Sequence, residues 1–209
     1  MVLKNFIVFE GIDGAGTSTQ IKLLAEKNPE LFVTTAEPTD RETGRFLRRM
    51  LAGDFSVDEK TNAFLFAADR CEHIYGKNGV VELINNGKTV LSDRYFFSSL
   101  AYQSISCGDE VPAHVNSLFP LPEILFYFQI NPEISLSRVN ARNEKKEIYE
   151  KIELQKKIAD QYDRIISLYE KPEMNENGGM KIIRIDAAKS IDEISQEIFE
   201  SYKKYSQSL

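Results

Sequence analysis

The chain has 209 residues, 42% of them hydrophobic and 28% charged, and a net charge of −6. That length suits a single domain spanning residues 1–209 and burying about 70% of its unfolded surface. No run of about 18 apolar residues is present to cross a bilayer, and an acidic balance argues against wholesale nucleic-acid binding, which relies on a basic surface shedding counterions. The N-terminus runs from Met1 straight into a strand and a glycine loop, leaving no room for a signal peptide, so a cytosolic protein is expected. Cys71 and Cys107 lack metal-type spacing and read as small buried hydrophobes.

"NFIVFE" (5–10) is a near-continuous apolar run, as a parallel strand buried on both faces requires. After the glycine loop, "STQIKLLAEKN" has helical apolar spacing, and "LFVTTAE" (31–37) predicts a second strand. "TGRFLRRMLAG" (43–53) predicts an amphipathic helix closed by Gly53, and "VDEKTNAFLFAADRCEHIYGKNGVVELINNG" one long helix or two. "KTVLSDRY", "EILFYFQI" and "KIIRIDA" supply a third, fourth and fifth strand, with helical patterns between them. Residues 150–170 carry alternating charge and read as a solvated helix with i,i+4 pairs, whereas "RVNARNEKK" before them interrupts the apolar period as a loop would. The alternation predicts an α/β fold: a doubly wound, five-stranded parallel sheet with helices on both faces and ligands at the carboxyl ends of its strands.

"GIDGAGTS" (11–18) fits G-x-x-x-x-G-K-[ST] at every position except Thr17, where the pattern has lysine. In such a loop between strand and helix, glycines let the backbone approach closely and amide N–H groups point at phosphate oxygens. Gly11, Gly14, Ala15, Gly16, Thr17, Ser18 and Thr19 are therefore the candidate ATP-phosphate ligands, with the Ser18 hydroxyl a candidate for Mg²⁺. Asp93 ends the third strand, where a carboxylate reaches a magnesium shell through water, and Arg94 follows it. Phe66 and Arg70 lie four apart, hence on one helical face, where an aromatic ring and a forked donor can hold a base. His73 and His114 read as surface or helix-packing residues.

Together "FEGIDGAG-TSTQ", "EPTD…GRFLRRML", "FLFAADRCEH", "SDRYFFSSLAYQ" and "FYFQINPEISLSR" resemble the thymidylate kinase family in family order over nearly the whole chain. The resemblance implies a fold of the P-loop NTPase type with a short lid over residues 138–150, a homodimer, and Mg²⁺-dependent transfer of phosphate from ATP to dTMP. It implies that Phe66 stacks on thymine, Arg70 donates to a base carbonyl, and Gln103 and Ser99 read the remaining polar edge. Arg48 and Arg94 would clamp the dTMP phosphate, Tyr102 would crowd the 2′ position, and Asp13 would contact the 3′-hydroxyl beside the transferring phosphate. Glu37 and Asp93 would position magnesium-bound waters, and Ala187 and Ala188 would seat adenine. Two stretches depart from the family pattern: Phe97 stands at an often polar position, and the segment after Gln103 lacks a glycine-rich loop.

A lost charge-assisted hydrogen bond costs about 1.5 to 3 kcal/mol, so Thr17 weakens a kinase without abolishing it. The expected substitute is the basic lid, Arg142 together with Arg138 or Lys145, which makes Asp13, Arg94 and Arg142 the candidate catalytic groups. Two alternatives stand beside this reading: a kinase for another nucleoside monophosphate, and a catalytically weak nucleotide-binding protein that kept its fold without the lysine.

Overall fold

The computed structural model describes residues 1–139, 145–176 and 179–206, apart from the side chains of 145–151 and 206. Its apolar runs form strands β1 (Val2–Gly11), β2 (Phe32–Ala36), β3 (Thr89–Asp93), β4 (Leu121–Gln129) and β5 (Lys181–Asp186). All pair in parallel in one sheet of order β2-β3-β1-β4-β5. The strands read as expected, except that β1 starts earlier, at Val2, and accommodates a register shift between Leu3 and Ile7. Asn5, in that stretch, has φ 59° and donates its N–H to Glu123.

The near-continuous apolar character of β1 and β4 follows from burial on both faces. Phe6, Val8, Leu125 and Tyr127 join one core cluster, while Ile7, Phe9, Phe126 and Phe128 join the cluster on the opposite face. The second cluster is closed by Ile21 and Leu24 of α1 (Thr17–Ala25) and by Ile194 and Ile198 of α9 (Ile191–Ser206). The first is closed by Ile74 of α3 (Glu59–Tyr75), Val80 of α4 (Val80–Asn85), α5 (Phe96–Cys107) and α8 (Lys145–Tyr169). Helix α2 (Glu42–Leu51) flanks α3; α6 (Glu110–Asn116) packs on α3 and α5, and α7 (Pro132–Val139) on α8.

The long stretch after Val57 resolves into two helices, because Gly76 and Gly79 bring backbone so close to the Glu72 and Gly76 carbonyls that a Cβ would sit 2.5 and 2.6 Å from them. Asp58 caps α3, accepting from the N–H groups of Lys60 and Thr61. Two expectations are corrected. Helix α8 is amphipathic rather than merely solvated: Ile158, Tyr162, Ile165 and Ile166 recur at helical spacing and are buried in the core. Cys71 is exposed and Cys107 half-buried, since on α3 the residues turned inward are Asp69, Arg70, His73 and Ile74. Among the described residues no helix is long and apolar enough to cross a membrane.

Candidate active site

Parallel pairing brings the ends of β1 and β3 side by side, with Phe9 opposite Asp93, so the glycine loop and the Asp93-Arg94 pair emerge at one edge of the sheet. Gly14 and Gly16 have φ 84° and 98°, which favours glycine, and a Cβ on Gly14 would stand 2.6 Å from the Ser135 carbonyl. Gly11 lies beneath the loop, where a Cβ would meet Phe128 of β4 at 3.0 Å. Helix α1 opens at Thr17 with Gly16 as its N-cap, no side-chain cap and no acidic residue in its first turn. Its first amides and positive dipole end therefore face a cavity of about 580 Å³ lined by Asp13 to Thr19, which suits phosphate oxygens.

Ser18 donates its hydroxyl hydrogen to Asp93 at the rim of that cavity. These hard oxygen donors fit Mg²⁺, which takes few protein ligands and keeps waters and phosphate oxygens. Among the described residues there is no cluster of three or more His, Cys, Asp or Glu able to hold a metal by itself. Among the described residues three cations line the same cavity: Arg94, Arg138 and Lys189. Arg138 donates to the Ala187 carbonyl at 3.1 Å, and Lys189 pairs with Glu197 at 2.8 Å. Lys22 lines a different cavity, with Glu26. Arg142 and Lys145 lie outside the residues whose side chains are described.

A second cavity, of about 420 Å³, is lined by Arg48, Phe66, Arg70, Arg94, Ser99, Tyr102 and Gln103, the residues the resemblance implies for dTMP, and by Asp13 and Glu37. Phe66 and Arg70 do share one face of α3. Gln103 is 6% exposed, and its Oε1, like Asn62 Oδ1 beside it, is buried with no hydrogen-bond partner among the described residues. A buried orphan acceptor costs about 1 to 3 kcal/mol, which a ligand donor would recover. Nothing in the sequence marks Asn62, one polar residue among several on α3.

Arg70 is 1% exposed. Its Nε and Nη2 donate to Glu37 Oε2 at 2.9 and 2.7 Å, Nη2 also to Ser99 at 3.0 Å, and Nη1 to Asn116, leaving one Nη1 hydrogen for a ligand. His73 Nδ1 donates to the other oxygen of Glu37 at 2.9 Å, so both carboxylate oxygens accept from protein donors. His73, read from the sequence as a surface or packing residue, is instead a buried hydrogen-bonding group, whereas His114 is exposed. Arg48 reaches the cavity from α2 and donates to the Pro38 carbonyl.

Asp13 and Arg94 line both cavities and form an ion pair at 2.5 Å. Arg94 has φ 71°, its N–H bonds to the Phe9 carbonyl at 2.9 Å, and its Nη1 donates to Ser98 and Tyr162 at 3.0 and 3.2 Å. Behind it lies Glu10, fully buried, accepting from the N–H groups of Tyr95 and Ser98 and from the hydroxyls of Ser98 and Tyr162. Burial raises the Glu10 carboxyl from 4.5 to about 7, with Arg94 and the hydrogen bonds partly opposing the rise. Burial likewise pushes the Tyr162 hydroxyl well up, with Glu10 adding to the effect. Glu10 was legible only as the single carboxylate of an apolar strand, and Tyr162 belongs to a helix read as solvated. Phe97 stacks on Phe96 at 4.2 Å between ring centroids and packs edge-on against Tyr169, so its apolar character serves the core.

A family model described as thymidylate kinase matches residues 9–198. The thymidylate kinase of Leptospira borgpetersenii serovar Hardjo-bovis is 37% identical over 206 residues, covering 94% of this chain and 92% of its own. A Treponema pallidum (strain Nichols) protein assigned to the same kinase is 38% identical over 213 residues, covering 98% and 97% of the two chains. A Methanocaldococcus jannaschii protein with the same assignment is 38% identical over 200 residues, covering 95% of each.

Proposed function

The chain belongs to the thymidylate kinase family, and from that footing we propose that it transfers the γ-phosphoryl group of ATP to the phosphate of dTMP, giving dTDP and ADP. The observation that carries this reading is the pair of cavities meeting at Asp13 and Arg94, one walled by loop amides and the other by the acceptor set. Two nucleotides bound there would bring their phosphates together at a shared wall.

An oxygen of the dTMP phosphate, already anionic, attacks the γ-phosphorus; the bond to the β-bridging oxygen breaks and its electron pair leaves with ADP. No general base is required, so catalysis consists of alignment and charge neutralisation. Arg94 is held by Asp13, Ser98 and Tyr162 in a position to draw the two phosphates together. Amides of Gly14 to Thr19 cradle the donor phosphates, and Phe66, Arg70, Ser99 and Gln103 hold the base, with Arg48 on the acceptor phosphate and Tyr102 against the sugar. A magnesium ion, held by Ser18 and through water by Asp93, would neutralise donor-phosphate charge. Ala187 and Ala188 seat the adenine beyond Arg138.

The charge absent at Thr17 is supplied from the lid, read as residues 138–150; Arg138 already lines the phosphate cavity, and Arg142 belongs to the same segment. A homodimer in the cytosol, with no membrane or nucleic-acid partner, completes the proposal; family membership supports the first and the net charge of −6 accords with a small anionic ligand met by local arginines. The test is ADP release with ATP and Mg²⁺ against a panel of nucleoside monophosphates, run beside Thr17→Lys. Release dependent on dTMP is expected. Preference for another monophosphate would redirect the substrate, and silence in the natural protein with recovery in Thr17→Lys would favour a nucleotide binder and refute the proposal.

A further inference from the structure

Arg70 and His73 lie three apart on α3, on the face turned toward the sheet, where Glu37 at the end of β2 meets them both. The three side chains are 1%, 4% and 4% exposed for Arg70, His73 and Glu37. Glu37 divides its oxygens between them: Oε2 accepts from the Arg70 fork, and Oε1 accepts from His73 Nδ1 at 2.9 Å. Because a carboxylate in an ion pair with arginine only accepts, Nδ1 is the protonated ring nitrogen. The far nitrogen, Nε2, meets the Thr35 hydroxyl at 2.8 Å. Thr35 is on β2 itself, so the chain Thr35-His73-Glu37-Arg70 returns to the strand from which Glu37 emerges.

We infer that His73 is a positioning residue for the acceptor cavity, orienting the Arg70 fork through Glu37. This rests on the reading of that cavity as the dTMP site. Arg70 can present a hydrogen to a base only if its remaining Nη1 donor keeps its direction, and that direction is set by which Glu37 oxygen the other donors take. With both oxygens occupied by different partners, the carboxylate cannot rotate to face the guanidinium side-on with both oxygens, the pairing that planar groups otherwise favour. Take away the imidazole donor and Oε1 is left buried and unpaired. The carboxylate would then turn toward Arg70, drawing Nη1 away from the cavity.

The inference is tested by His73→Leu, which keeps bulk without the donor, and His73→Asn, whose amide can stand where Nδ1–H stood. Calorimetric titration with dTMP alone gives binding independent of turnover, and ADP release gives KM for each substrate. For His73→Leu we expect dTMP affinity to fall about tenfold to a hundredfold, the loss of one charge-assisted hydrogen bond. KM for ATP should stay within about twofold, and His73→Asn should recover most of the dTMP loss. Equal dTMP affinity in Leu and natural proteins, or an equal rise in KM for ATP, would overturn the inference; so would failure of Asn to improve on Leu. Should His73→Leu not fold, Thr35→Val removes only the Nε2 partner, and unchanged dTMP affinity in that variant overturns the inference as well. Natural protein that binds dTMP without releasing ADP would refute the kinase reading while leaving the His73 comparison decisive; natural protein that binds no dTMP would refute both.

Discussion

Glu10→Gln isolates the electrostatic tension behind Arg94. The folded carboxyl is raised from 4.5 to about 7, chiefly by burial, so the folded protein holds this proton more tightly than the unfolded chain. Its stabilising contribution is therefore complete below pH about 4.5 and is lost as pH rises to about 7, an effect of about 3 kcal/mol. Most of that, about 2 to 3 kcal/mol, falls between pH 5 and pH 8. Glutamine has no proton to lose, so its own offset, arising from an amide facing the Ser98 and Tyr162 hydroxyls, is constant with pH. The assay is urea unfolding of both proteins at pH 5, 6, 7 and 8 and one protein concentration, which keeps any association term fixed. The variant should gain about 2 to 3 kcal/mol on the natural protein between pH 5 and pH 8. A difference that does not change with pH would show that Glu10 is not under this desolvation, and the argument for tension behind Arg94 would fail.

Gly14→Ala should cost about 2 to 3 kcal/mol in urea unfolding, because φ 84° disfavours alanine and its Cβ would meet the Ser135 carbonyl at 2.6 Å. Gly16→Ala at φ 98°, where a Cβ meets nothing within 4 Å, should cost about 1 kcal/mol, and equal costs would contradict the loop geometry. Phe66→Ala should weaken dTMP binding about tenfold or more by calorimetry while leaving ADP binding unchanged, since the ring lines the acceptor cavity. In steady-state turnover, Arg138→Ala should slow the natural protein about tenfold and Thr17→Lys much less so, because the lysine makes the arginine redundant; additive effects in that cycle would show that the two cations serve separate ends.

The strands and their parallel pairing were legible because burial on both faces leaves near-continuous apolar runs, as in β1 and β4. The loop was legible because its chemistry depends on backbone, and glycines at fixed spacing announce backbone. Spacing alone suggested the Phe66-Arg70 pair, and only the resemblance joined Arg48 and Gln103 to it, from three helices to one cavity. What escaped was pairing across the fold. His73 looks like any helical histidine until β2 places Thr35 and Glu37 against it. Glu10 looks like the end of a strand until α5 and α8 bring Ser98 and Tyr162 to its carboxylate. Helix α8 was misread because charge alternation on its outer face masked Ile158, Tyr162 and Ile165 on the inner one.

The Asp13–Arg94 ion pair makes the two cavities thermodynamically answerable to each other. A phosphate arriving on either side, as proposed above, would compete with Asp13 for the same guanidinium and free its carboxylate to act on the second ligand. Each nucleotide would then alter the other's dissociation constant by one common factor. Calorimetric titration of dTMP with and without ADP, and of ADP with and without dTMP, should return that factor twice, and Asp13→Asn should bring it nearer to one. Affinity for the acceptor is in this sense a joint property of both cavities.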